Sequence, residues 1–167
     1  MLRGINENWW YANFLKLMGT LTQLAKRGLK AKAMARIDEK HRSHIMSCIK
    51  GKDTRPELLV RRMASSLGHR YRLHYSKLPG RPDLVFPGKK KVIFIHGCFW
   101  HQHKGCKVGK PPRSNVGYWA TKLARNVERD RENISALHKL GWQALVIREC
   151  QLGRAATVTR RVAKFLG

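Results

Sequence analysis

The sequence predicts an α/β domain in which helices flank a mixed β-sheet. Three observations carry that prediction. Short runs rich in β-branched and aromatic residues fall at 69–75, 83–86, 91–96 and 142–149, a composition that favours strands. Around them lie stretches with apolar residues at three- and four-residue steps, which read as amphipathic helices. Glycines, or a proline-led turn, stand where these runs end, and such residues punctuate elements. Helix, three strands, long helix, strand, helix is the order of a layered α/β domain.

Taken in chain order, residues 9–33 read as a basic amphipathic helix, with Trp10, Phe14, Leu17, Leu21 and Leu24 on one face and Lys16, Lys26, Arg27, Lys30 and Lys32 elsewhere. Residues 1–36 are therefore expected to be a helical N-terminal extension, and residues 37–167 the main domain. Met34 would also make a sensible start. A short helix is expected at 41–50. Thr54-Arg55-Pro56-Glu57 reads as a capping box opening a helix over 55–67, with Leu59, Val60, Met63 and Leu67 as its apolar face and Gly68 closing it. The strands at 83–86 and 91–96 are joined by a tight Pro87-Gly88-Lys89 turn. The longest helix spans 117–140 and stops at Gly141, the run at 142–149 reads as a buried strand, and a basic helix covers 155–166.

Charge narrows the partner. Among 167 residues, 35 Lys and Arg face 10 Asp and Glu, for a net +25. The excess is spread: +5 over residues 1–40 (eight basic, three acidic), +16 over 41–150 (23 basic, seven acidic) and +4 over the last 17 (four basic, none acidic). Such a chain suits a polyanion, nucleic acid first and an anionic membrane surface second. No apolar run approaches the roughly 18 residues of a membrane span. The four cysteines, Cys48, Cys98, Cys106 and Cys150, follow no secretory leader, so metal binding or free thiols in a reducing cytoplasm is the expectation.

The densest chemistry lies in VIFIHGCFWHQHKGCKV, residues 92–108. Cys98 and Cys106 flank histidines at separations suited to a tetrahedral zinc, and Cys150 is a candidate fourth ligand. Buried cysteines beside surface histidines is the alternative. Three cysteines leave room for one histidine, so either His101 or His103 is a ligand and the other is free for acid–base work. Asp83, at the start of a strand in LPGRPDLVFPG, is a candidate Mg²⁺ ligand or a solvated turn residue. Asp130 falls inside the roughly 80° arc that holds Trp119, Leu123, Val127, Ile134 and Leu137, so it faces inward and needs a cation or a histidine. Glu128 projects the other way. Glu57 is explained by its cap, with catalysis as the second reading. Phe99-Trp100 could wedge between base steps or anchor the core.

These segments together, RSHIMSCIKGKDTRPELLVRRM, LPGRPDLVFP, VIFIHGCFWHQHKGC, YWATKLARNVERDRENISALHKLGW and VIREC, resemble the very short patch repair (Vsr) DNA mismatch endonucleases of bacteria over about residues 40–152. The resemblance implies a restriction-endonuclease-like mixed sheet flanked by helices, with a structural zinc site. It implies Mg²⁺-dependent nicking 5′ of the mispaired T in T·G mismatches, which arise when 5-methylcytosine is deaminated. By this resemblance Asp83 is the metal-binding aspartate, with Ile95 beside it as a cofactor-binding position, and His101 is the catalytic histidine. His96 and Asp130 are its accessory histidine and orienting acid, and Glu57 is an active-site glutamate. Cys98, His103, Cys106 and Cys150 match the zinc ligands, and Phe99, Trp100 and Met46 the DNA contacts. A cytoplasmic, nucleoid-associated monomer acting on double-stranded DNA is expected, with mismatch-repair proteins as candidate partners and no membrane. A restriction-type nuclease of other specificity and a non-catalytic zinc-stabilised DNA-binding protein are the alternatives. Three departures stand out. Ile95 replaces the Thr of some members, one extra residue separates His103 from Cys106, and the acid-x-Lys pair of the wider nuclease superfamily is missing from 91–96, so that His101 would take that lysine's role.

Overall fold

The computed structural model describes residues 51–73 and 75–167. The helices expected at 9–33 and 41–50, the boundary between 1–36 and 37–167, and residues Met46 and Cys48 lie outside the described residues. The elements are α1 (Arg55–Ser66), β1 (Arg72–Leu73), β2 (Leu84–Phe86), β3 (Lys91–His96), α2 (Val116–Lys139), β4 (Gln143–Arg148) and α3 (Ala155–Leu166), with 3-10 turns at Pro87–Lys89 and Glu149–Arg154. They form one four-stranded sheet in the order β1-β2-β3-β4. The first two pairings are antiparallel and β3 pairs β4 in parallel, so the sheet is mixed. Parallel neighbours need a long crossover, and α2 is that crossover.

Alternation along the strands creates two apolar faces. Leu84, Phe86, Ile93 and Ile147 point to one, where Val60 and Ala64 of α1 and Val158, Val162 and Leu166 of α3 cover them. Val85, Val92 and Phe94 point to the other, where Leu137 of α2 and Leu78 cover them, with Ile134 and Trp142 at the margin. Helices therefore lie on both faces of the mixed sheet, as expected. Leu84 and Ile93 are fully buried and are paired across the hairpin. Truncating either to Ala would cost about 2–5 kcal/mol. Among the described residues no helix is long and apolar enough to cross a membrane.

Several expectations need correction. The reciprocal capping box does not form, because no side chain caps α1 at Thr54. Instead the Thr54 hydroxyl donates to the Glu57 carboxylate (2.8 Å) and the Asp53 N–H donates to its other oxygen (3.0 Å). Pro56 occupies the first turn and supplies no N–H there. The buried face of α1 is Glu57, Val60, Arg61 and Ala64, with Leu59 only half-buried. Two ionic residues stand where an all-apolar stripe was expected, because they neutralise each other. The run at 142–149 is not a buried strand: only Ile147 of β4 is fully buried, since β4 is an edge strand. The run at 69–75 supplies just the two-residue β1 at the opposite edge.

Candidate active site and metal centre

The site forms where β3 ends. After His96 the chain turns back, with the N–H groups of Trp100 and His101 both donating to the Gly97 carbonyl (3.1 and 3.2 Å). This turn returns His101 over His96, and the two rings stack with centroids 3.9 Å apart and planes 12° from parallel. From α2, Asp130 reaches the pair. Its Oδ2 lies 2.6 Å from His101 Nδ1 and 3.9 Å from His96 Nδ1, with 17% of its side chain exposed. The inward arc drawn for Asp130 therefore leads to histidine, the partner that a poorly solvated carboxylate requires. With Nδ1 engaged, Nε2 is the nitrogen of His101 left for acid–base work. Burial pushes His96 down to about 4, and the neighbouring His101 charge pushes it the same way. His96 is thus neutral near pH 7.

Asp83 lies at the same end of the sheet. β2 runs antiparallel to β3, so the residue just before β2 sits beside the end of β3, and Asp83 Oδ2 accepts the Ile95 N–H at 2.7 Å. Gly80 helps to set this approach. It has φ +74°, and a Cβ there would meet Asn133 of α2 at 3.0 Å. Burial lifts Asp83 to about 6; the Ile95 N–H opposes the rise, Glu57 adds to it and Arg61 opposes it. Glu57 therefore acts on Asp83 from the first turn of α1. Its own oxygens are occupied: Oε1 accepts from Thr54, and Oε2 from the Asp53 N–H and from Arg61 Nη2 (3.0 Å).

A second cluster flanks the first. Cys98 Sγ, His103 Nε2, Cys106 Sγ and Cys150 Sγ all lie within 4.8 Å of one another. Cys98 and Cys150 stand 3.4 and 3.5 Å from His103 Nε2. Zinc bonds of about 2.3 Å to sulfur and about 2.0 Å to nitrogen make a tetrahedral S···N edge of about 3.5 Å, so the three-sulfur, one-nitrogen set fits a zinc ion. Backbone N–H groups already point at two sulfurs, Cys150 N–H at Cys98 (3.4 Å) and Gly109 N–H at Cys106 (3.4 Å). Burial pushes the Cys98 and Cys150 thiols up. Burial also raises Cys106, but the N–H groups of Gly109 and Val108 outweigh it and leave that thiol lowered. Of the two histidines, the structure groups His103 with the cysteines and His101 with His96 and Asp130.

Phe99 is buried, edge-on to Trp100 and to Trp119 of α2 (centroids 4.9 and 5.4 Å). Trp100 is half-buried, with Lys122 Nζ 5.7 Å from its ring centre. Sequence reasoning missed the residues that hold this loop. Gln102 Nε2 donates to the carbonyls of Phe99 (2.7 Å) and Gly109 (2.6 Å). Asn126 Nδ2 donates to the Trp100 carbonyl (3.1 Å), and Glu149 accepts the Cys98 N–H (3.3 Å). Asn126 was findable, because it precedes Asp130 by one helical turn and shares its face. Nothing in the local pattern marks Gln102 or Glu149, whose partners are backbone groups.

A family profile described as DNA mismatch endonuclease Vsr matches residues 34–107. The DNA mismatch endonuclease Vsr of Escherichia coli (strain K12) is 42% identical over 115 residues, 69% of this chain and 73% of that protein. The chain belongs to the Vsr family. It is accordingly a DNA endonuclease, and DNA is the polyanion that its net charge of +25 anticipated. The type II nicking enzyme V.XorIIP of Xanthomonas oryzae pv. oryzae is 40% identical over 131 residues, covering 78% of this chain and 96% of that one. Among solved structures, the catalytic domain of the homing endonuclease I-Bth0305I aligns at 22% identity and TM-score 0.46, over 68% of this chain and 94% of that one.

Proposed function

We propose that this Vsr-family endonuclease nicks one strand of duplex DNA 5′ of the mispaired T in a T·G mismatch, in a Mg²⁺-dependent hydrolysis. The observation that carries the reading is the His101–Asp130 contact of 2.6 Å beside the end of β3, a histidine and its orienting acid at the end of the sheet where the half-buried Asp83 carboxylate accepts the Ile95 N–H. The mismatch specificity rests on the name of the Escherichia coli relative and on the family resemblance. The nicking outcome also accords with the name of the Xanthomonas relative.

Asp83, half-buried and raised toward neutrality by that burial, fits a divalent cation, because a cation would restore the charged form that the protein disfavours. Mg²⁺ held there would polarise the scissile phosphate and favour attack by water. Asp130 fixes the tautomer of His101 by accepting the hydrogen bond from its Nδ1–H and stabilises the ring when it becomes charged. His101 then accepts or returns a proton at Nε2 on the side away from Asp130. His96, neutral and stacked on His101, holds the ring plane. Glu57, its oxygens held by Thr54, the Asp53 N–H and Arg61, acts on Asp83 through its charge. Cys98, His103, Cys106 and Cys150 would hold a zinc ion that ties the loop after β3 to the end of β4, a structural role outside the reaction. Trp100, half-buried and backed by the buried Phe99, is the aromatic that reads the distorted base step, with Phe99 following it only if the pair leaves its packing.

Nicking of otherwise identical T·G, matched and methylated duplexes tests the reading. Preference for T·G is expected, with the nick on the T-containing strand. Equal nicking of the matched duplex would assign a restriction-type specificity instead, and no nicking of any duplex would leave a binding protein.

A further inference from the structure

Arg61 is the residue of α1 that packing does not explain. Its side chain is 9% exposed, and Nη2 pairs with Glu57 Oε2 at 3.0 Å while Nη1 pairs with the carboxylate of Asp53. Its Nε is buried and has no hydrogen-bond partner among the described residues. Burying an ion is costly, and an apolar residue of similar volume commonly does the packing as well or better. The other fully buried positions on this helix face are Val60 and Ala64, so an apolar side chain would suit the surroundings. What an apolar side chain could not do is hold Glu57. Together with Thr54 and the Asp53 N–H, the guanidinium engages both carboxylate oxygens. Arg61 and Glu57 also act on Asp83 with opposite signs.

We infer that Arg61 is a positioning residue that holds the Glu57 carboxylate and cancels its charge, leaving the cation site at Asp83 one net negative charge instead of two. The inference rests on the reading of Asp83 as the cation ligand. Asp53 adds little to the balance, since 62% of its side chain is exposed to water. A site with one uncancelled carboxylate binds a divalent cation weakly by itself and completes its coordination with phosphate oxygens, as Mg²⁺ sites commonly do. Cation and DNA then bind cooperatively, and the free enzyme is kept from loading metal strongly before it meets a substrate.

The test uses Mn²⁺ as the probe, with free Mn²⁺ read by electron paramagnetic resonance on zinc-replete, full-length protein in the absence of DNA. Arg61→Met is expected to bind Mn²⁺ at least about tenfold more tightly than the wild type, through two uncancelled carboxylates. Its nicking at saturating Mg²⁺ is expected to slow, because Glu57 is released. Glu57→Gln, which leaves Arg61 uncancelled, should bind at least about tenfold more weakly. Glu57→Gln combined with Arg61→Met should return to within about threefold of the wild type, as should Arg61→Lys. Where Arg61→Met fails to fold, the contrast between Glu57→Gln and the double variant decides, since the neutral pair leaves no unpaired buried charge. Unchanged or weaker Mn²⁺ binding by folded Arg61→Met, or no recovery in the double variant, overturns the inference. Asp83→Ala separates the two claims: Mn²⁺ binding that survives it overturns the reading of Asp83 itself.

Discussion

Replacing Asp83 with Asn should stabilise the Mg²⁺-free protein at neutral pH. The carboxyl is lifted from its ordinary 3.8 to about 6, chiefly by burial. A raised carboxyl pKa means that the folded state holds the proton more tightly than the unfolded chain does. The favourable contribution is therefore fully present below about 3.8 and is lost as pH rises through about 6. Two pH units at about 1.4 kcal/mol each amount to about 3 kcal/mol lost by pH 8, and about half of that by pH 5. Asn is permanently neutral, and its side-chain oxygen can keep the bond from the Ile95 N–H. The expected gain is thus up to about 3 kcal/mol at pH 8, shrinking to about 1.5 kcal/mol at pH 5. Urea unfolding of zinc-replete protein, followed by tryptophan fluorescence at both pH values, measures it. Added Mg²⁺ should raise the wild-type midpoint and leave that of Asp83→Asn unmoved. An Asn variant less stable than the wild type at pH 8, or a gain independent of pH, would refute the reasoning.

Three further outcomes are expected. Asp130→Asn should slow nicking by about a hundredfold or more with little loss of DNA affinity, because the amide cannot stabilise a charged His101; single-turnover nicking and a filter-binding isotherm check the two halves. Metal analysis of chelator-free protein should find one equivalent of zinc, and Cys98→Ser should abolish it and lower the thermal midpoint. Gly109→Ala should weaken the same centre from a distance, since a Cβ at Gly109 would lie 2.2 Å from the Cys98 carbonyl oxygen. Its zinc content and midpoint should fall together.

The elements most legible in the sequence were those whose signals are local. The ends of α1, α2 and α3 fall within one or two residues of expectation, because Gly68 and Gly141 take positive φ where helices stop. Asp130 was legible for a similar reason: a helix imposes its 100° step regardless of context. The choice between His101 and His103 was not legible. It depends on the turn at Gly97, which neither an extended nor a helical spacing describes. Arg61 was illegible because an Arg four residues after a Glu is the pattern of a solvated helix pair. Only the packing of α1 against the sheet turns that pair inward. The modest burial of β4 likewise reflects its place at the sheet edge, which no property of its own residues announces.

Cation-dependent nicking at the Asp83, His101 and Asp130 site is the central claim. A duplex with one T·G mismatch, end-labelled on the T strand and incubated with zinc-replete protein with and without Mg²⁺, measures it. One nicked product, 5′ of the mispaired T, is expected, and it should require Mg²⁺. At least about a hundredfold less product is expected with Asp83→Ala, a loss of about 2.7 kcal/mol of transition-state stabilisation. Product formed equally well without Mg²⁺, or by Asp83→Ala, would contradict that claim.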